Sequence, residues 1–160
     1  MTARGLIVSA PRSSSGKTTV TLGLLGALRR KGIAVRAAKS GPDYIDPAFH
    51  AAATAAKGVN LDSWAMLPAT IEALMAEAAQ ASDVLVIEGA MGLFDGVPGV
   101  PGRSGAASDI AARFALPVLL YLFRRIERAL KGQPSVIILD EAWLMLGHPA
   151  FRAKIREWLK

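Results

Sequence analysis

Ser13-Ser14-Ser15-Gly16-Lys17-Thr18-Thr19 is the stretch of this sequence whose residue types do chemistry most directly. Small residues let backbone N–H groups crowd around phosphates, and a helix starting at the end of such a run adds the positive end of its dipole. Lys17 can reach β and γ phosphates as a mobile cation, and Thr18 can offer its hydroxyl to Mg²⁺. The expected ligand is ATP with Mg²⁺, bound by Ser13 to Thr19. The strict G-x-x-x-x-G-K-[ST] pattern is not met, because its first glycine falls on Pro11. A serine-rich turn before a lysine-starting helix would share these letters. The flanking strand and helix favour the phosphate loop.

A triphosphate site also needs an acid to hold Mg²⁺ or its waters. Asp43 follows the second apolar run, in Lys39-Ser40-Gly41-Pro42-Asp43-Tyr44-Ile45-Asp46-Pro47, and Glu88 ends Val84-Leu85-Val86-Ile87-Glu88. Each alone is a common turn former or helix cap. With Lys17 they make a constellation: Lys17, Asp43 and Glu88 as candidate catalytic residues, and Thr18, Asp43 and Glu88 as metal partners.

These residues must be positioned by strands and helices. Leu6-Ile7-Val8 reads as a buried parallel strand running into the loop. The helix after Gly16 is expected to bury Val20, Leu24 and Leu28, with Lys17 facing solvent, Arg29-Arg30-Lys31 at its negative end and Gly32 as its cap. Ile33–Ala37 reads as the next strand. Gly41–Asn60 has little periodicity and is expected to be a long functional loop with some helix. Pro68 opens a helix with apolar face Ile71, Leu74, Met75 and Ala78. Gly89–Gly105 is a glycine-rich stretch, and a helix around Ala106–Phe114 leads to a strand at Pro117–Leu120. Strands alternating with helices predict an α/β fold, a P-loop NTPase-like doubly wound and mainly parallel sheet flanked by helices. In such sheets ligands gather outside the carboxyl ends of the strands, where Asp43 and Glu88 could meet the loop.

Composition narrows the class. Hydrophobic residues make up 52% of the 160, too many for a disordered chain. With no cysteine there is no disulfide, thiolate metal site or cysteine nucleophile. The longest apolar run, Phe114–Phe123, is short of the ~20 residues a membrane span needs. The chain reads as cytoplasmic, without a membrane span. Of the formal charge of +6, residues 1–118 contribute +2 (11 Lys+Arg against 9 Asp+Glu) and residues 119–160 contribute +4 (8 against 4). A solvated helix face or a polyanion site would account for that excess; the solvated face is preferred, and nucleic acid is not an expected partner.

Four motifs in one order carry a resemblance: Ala10-Pro11-Arg12 through Thr19, Lys39 through His50, Asn60-Leu61-Asp62-Ser63-Trp64-Ala65-Met66, and Glu88-Gly89-Ala90-Met91-Gly92-Leu93-Phe94-Asp95-Gly96. Residues 4–118 resemble the N-terminal part of the cobyrinate or hydrogenobyrinate a,c-diamide synthases, cobalamin-pathway amidoligases related to dethiobiotin synthetase. The family enters its phosphate loop through Ala-Pro or similar residues. The resemblance implies that ATP phosphorylates a substrate carboxylate and ammonia then displaces phosphate. Such a step needs charge neutralisation and alignment more than covalent help. It implies that Lys17, Thr18, Asp43 and Glu88 handle MgATP. Asp46, Asp62 and Gly89–Gly96 resemble substrate-side or positioning elements, and His50 reads as a packing residue of the loop in preference to a base or phosphate contact. The implied partner is a corrinoid substrate, with a homodimer as a further expectation. Family members are longer and end in a glutaminase domain with a cysteine nucleophile. The expectation is therefore a truncated amidoligase with no glutaminase activity of its own.

After Leu119 this resemblance stops. Tyr121–Glu127 begins an amphipathic helix, Val136-Ile137-Ile138-Leu139-Asp140-Glu141 reads as a strand ending in two acids, and Pro149–Lys160 as a helix. Residues 120–160 resemble the Walker B region of conjugal-transfer ATPases of type IV secretion systems, implying Asp140 for Mg²⁺ and Glu141 for the attacking water. The chain thus reads as two regions, 1–118 and 119–160, joined as a chimera. The alternatives are a conjugal-transfer NTPase fragment or a non-catalytic chimeric nucleotide-binding protein. Because Asp43 and Glu88 share a fragment with Lys17, they are the preferred metal partners.

Overall fold

The computed structural model describes residues 3–10, 13, 14 and 16–116. Along them run β1 (Arg4–Val8), α1 (Lys17–Arg30), β2 (Val35–Ser40), α2 (Asp46–Thr54), β3 (Val59–Leu61), α3 (Pro68–Gln80), β4 (Val84–Gly89) and α4 (Ala107–Arg113). The four strands are parallel, in the order β1-β4-β2-β3. The last strand among the described residues thus inserts between the first two, and the doubly wound α/β sheet predicted from the alternation is present. Ser15, the predicted strand at Pro117–Leu120, and Asp140 and Glu141 lie outside the described residues.

Both faces of the sheet are covered. On one, Ile7, Ala38, Leu61, Leu85 and Ile87 pack with Ile71, Met75 and Ala78 of α3 and Ala107 and Ile110 of α4. On the other, Val8, Val35, Ala37 and Val86 pack with Leu25 of α1, flanked by Leu22, Leu24, Leu28 and Ala53. Burial on both sides is why β4 reads as a continuous apolar run. Side chains nonetheless alternate along a strand. Glu88 follows Val84 and Val86 onto the α1 face, and Lys39 follows Val35 and Ala37 onto the same face. The register sets Lys39 directly opposite Glu88.

Three local expectations are corrected. The strand expected at Ile33–Ala37 lies at Val35–Ser40, because the backbone N–H groups of Gly32 and Ile33 turn back to cap α1 on Arg29 and Leu28. Pairing with β4 then carries the strand through the polar pair Lys39-Ser40. The buried face of α1 is Lys17, Thr21 and Leu25, while Val20 is 56% exposed and Leu24 and Leu28 only partly buried. Lys17 therefore lies against the protein, 8% exposed, and does not face solvent. Finally, Gly41–Asn60 is largely regular. Asp43 Oδ1 accepts the backbone N–H groups of Ile45 and Asp46 at 2.8 and 3.0 Å and, with Pro47, opens α2. Some helix was expected here, but its place went unread because its buried side chains, His50 and Thr54, are polar.

Candidate active site

The carboxyl ends of β1, β2 and β4 meet the N-terminus of α1, as a parallel sheet with short β–α turns requires. There Ser13, Ser14, Gly16, Lys17, Thr18, Thr19, Lys39, Glu88 and Met91 line a cleft of about 420 Å³. The predicted loop residues among those described, Ser13, Ser14, Gly16, Lys17, Thr18 and Thr19, are thus brought together with Glu88. Ser14 and Gly16 have φ of 59° and 79°. Left-handed backbone at a strand–helix turn forms the concave loop that gathers N–H groups toward an anion. At Gly16 a side chain would strain that turn.

Glu88 is the centre of the site. It is fully buried. Its Oε1 accepts from the Thr18 hydroxyl at 2.6 Å and from Lys39 Nζ at 3.0 Å, and its Oε2 lies 2.8 Å from His50 Nε2. Burial, the largest influence, disfavours the carboxylate. The hydrogen bonds from His50, Thr18 and Lys39 together outweigh it and hold the group at about 2. Glu88 is thus an anion throughout the neutral range, accepting only.

Lys39 was not singled out from the sequence as a site residue. Its ammonium is 3.0 Å from Glu88, 3.8 Å from Asp43 Oδ2 and in contact with Asp46 Oδ2. Burial works against its charge, and the bonds to Asp46 and Glu88 raise its pKa in spite of that. The signal that could have found it is positional: a lysine at the carboxyl end of a buried strand needs acids around it. Lys17 goes the other way. Burial, and then the neighbouring charge of Lys39, lower its pKa. The charge of a bound polyanion would offset both effects.

The remaining acids divide the work. Asp43 spends Oδ1 on the turn into α2. Asp46, one turn of chain later, has Oδ2 on Lys39 and within 3.4 Å of the Thr18 hydroxyl. Among the described residues it is Asp46, and not Asp43, that joins Glu88 at Thr18. Asp62 is buried and accepts the N–H groups of Trp64 and Ala65, a turn-forming task. The stretch after β4 is pinned by Asp109, whose Oδ2 accepts from Ser63 Oγ, Ser104 N and Ser104 Oγ at 2.7, 2.7 and 2.9 Å. His50 is not a loop packing residue as expected; it is a fully buried helical residue bonded to Glu88.

The residues present fit MgATP. Hydroxyl and carboxylate oxygens are the donors Mg²⁺ takes, and ammonium groups and loop N–H groups are what phosphates take. No three His, Asp or Glu side chains form a metal centre among the described residues.

Comparison with known proteins bears on this cleft. Over 122 residues, 76% of the chain, the sequence is 62% identical to a protein of Mesorhizobium japonicum, and 55% identical to one of Agrobacterium fabrum. Over 121 residues, 74% of the chain, it is 55% identical to one of Rhodobacter capsulatus. All three bear one name, hydrogenobyrinate a,c-diamide synthase. The matches cover 28%, 28% and 27% of those synthases, so the chain spans little more than a quarter of the relatives it matches. No protein-family model matches the chain. Among the described residues no helix is long and apolar enough to cross a membrane.

Proposed function

We propose that this chain is the MgATP-binding part of an amidoligase that activates the a and c carboxylates of a corrinoid, hydrogenobyrinate or cobyrinate, for amidation. One observation carries the reading: Thr18, Lys39 and the buried carboxylate of Glu88 converge at the mouth of the Gly16–Lys17 loop. The identity with the diamide synthases supplies the substrate class.

In this reading the N-terminus of α1 and Lys17 bind the phosphates, and Thr18 and Glu88, with Asp46 beside them, hold Mg²⁺ or its waters. When bound, Mg²⁺ neutralises phosphate charge and makes the terminal phosphorus easier to attack. A corrinoid carboxylate oxygen forms a bond to that phosphorus as the bond to the ADP oxygen breaks. Ammonia then forms the C–N bond, phosphate leaves with the carboxyl oxygen, and the surplus protons pass to solvent. The chain's residues orient the reactants and exclude water. Asp43 shapes the turn into α2 and adds its charge beside Lys39.

The test is an ATP titration with and without Mg²⁺, followed by phosphate release with ammonium and hydrogenobyrinic or cobyrinic acid. Magnesium-dependent binding and corrinoid-dependent phosphate release support the proposal. Absence of nucleotide binding sinks it, and phosphate release indifferent to corrinoid removes the amidoligase part.

A further inference from the structure

Both oxygens of Glu88 are engaged, by different parts of the chain. Oε1 faces α1 and β2, through Thr18 and Lys39. Oε2 faces α2, through His50. Because an ionised carboxylate only accepts, the hydrogen of this bond belongs to His50 Nε2. The imidazole is fully buried, and its Nδ1 has no hydrogen-bond partner among the described residues. Its polar anchor there is Glu88 alone. A ring enclosed in this way does not meet phosphate or substrate; it meets the side of the Glu88 carboxylate turned away from Thr18.

The local fold explains how it gets there. Asp46 and His50 stand four residues apart on α2, one above the other on the same face. That face lies on β2 and reaches Glu88 across it. One turn further on, Thr54 Oγ1 donates to the backbone carbonyl of His50 at 2.8 Å. Against this fixed helix, the carboxylate torsion of a glutamate is soft and broadly two-fold. Thr18 and Lys39 both bind Oε1 and leave rotation about that contact open. The bond to Oε2 closes it.

We infer that His50 is a positioning residue: by holding Oε2 from behind, it keeps Oε1 of Glu88 directed at Thr18 and the cleft. This rests on the MgATP reading above. Partners one shell behind a metal-facing ligand set its orientation, and their loss costs roughly 10- to 100-fold in metal affinity.

The experiment compares His50→Gln, His50→Asn and His50→Met. Glutamine can place an amide N–H near the position of Nε2; asparagine is too short, and methionine fills the space without a donor. ATP affinity is measured in Mg²⁺ and in EDTA, and thermal unfolding without ligand. The expected result is His50→Gln close to the parent in Mg²⁺, and His50→Asn and His50→Met about 10-fold weaker or more in Mg²⁺ but level with the parent in EDTA. Adding His50→Met to Glu88→Gln should bring no further loss, because the oriented group is already gone. Equal affinities in all variants overturn the inference and leave the MgATP reading standing. So does a loss that tracks thermal stability and is the same in EDTA. A parent chain that binds no MgATP overturns both. If His50→Asn does not fold, His50→Gln against His50→Met decides the question.

Discussion

The hydroxyl of Thr18 donates to Glu88 Oε1 at 2.6 Å across 70 residues of sequence. That bond joins the start of α1 to the end of β4 and sets the hydroxyl and the carboxylate as neighbours at the proposed Mg²⁺ position. Thr18→Val keeps the shape of the side chain and removes the donor. Magnesium-dependent ATP affinity should fall by roughly tenfold or more, the scale of a hydrogen bond to a charged group. Binding in EDTA should change little. Calorimetric titration checks both, and an unchanged affinity in Mg²⁺ would remove Thr18 from the metal site.

Lys17 is buried beside a second ammonium, that of Lys39, and its pKa is lowered for that reason. A lysine whose charged form is disfavoured by folding costs stability at neutral pH. Lys17→Met should therefore lose ATP binding while unfolding at a temperature no lower than the parent's. Such exchanges of stability for function are common where a site needs unfavourable charge. A variant that binds ATP normally, or one that is clearly less stable, contradicts the account.

Acid should undo Glu88 in a defined window. Its folded pKa of about 2 lies below the ordinary 4.5, so the stability it confers is fully present above 4.5 and is lost as pH falls toward 2. Glu88→Gln has no such proton to take up. The stability gap between parent and Glu88→Gln should be widest near neutral pH and should shrink on acidification through that window. Urea midpoints at several pH values measure it. A gap that grows with acid would show that Glu88 is not the stabilised anion described above.

Asp43 and Asp46 make opposite use of their carboxylates. Asparagine at 43 retains an oxygen for the N–H groups of Ile45 and Asp46, so Asp43→Asn should leave α2 in place and weaken MgATP binding only modestly. Asp46→Asn removes the charge in contact with Lys39 and beside Thr18, and should weaken magnesium-dependent binding more. Titrations of the two variants at one Mg²⁺ concentration rank them. The reverse order would return the metal role to Asp43.

Much of this protein was legible from its residues in order. Local composition was enough for the strand–turn–helix around Gly16, the apolar face of α3 and the parallel α/β class, because each depends on neighbours within a few positions. The buried Val84–Ile87 run and its terminal acid were equally plain. Two misreadings have one origin. In α1 and α2 the buried positions are Lys17 and Thr21, and His50 and Thr54, polar residues where a sequence pattern looks for apolar ones. A helix beside a charged site buries its chemistry, and hydrophobic periodicity then points to the wrong face or to none.

The pairing of Lys39 with Glu88 was not in the sequence. No spacing rule sets Lys39 opposite Glu88; that follows from β4 inserting beside β2, which the strand order alone decides. Nor could the letters say which of Asp43 and Asp46 shapes the turn into α2 and which meets Thr18, since three residues and one turn of backbone separate the two tasks. Sequence determined which groups were available, because ligand chemistry is a property of residue types. Tertiary structure decided their partners and charge states, because buried charges are governed by neighbours within a few ångströms, and those neighbours here come from β2, β4, α1 and α2.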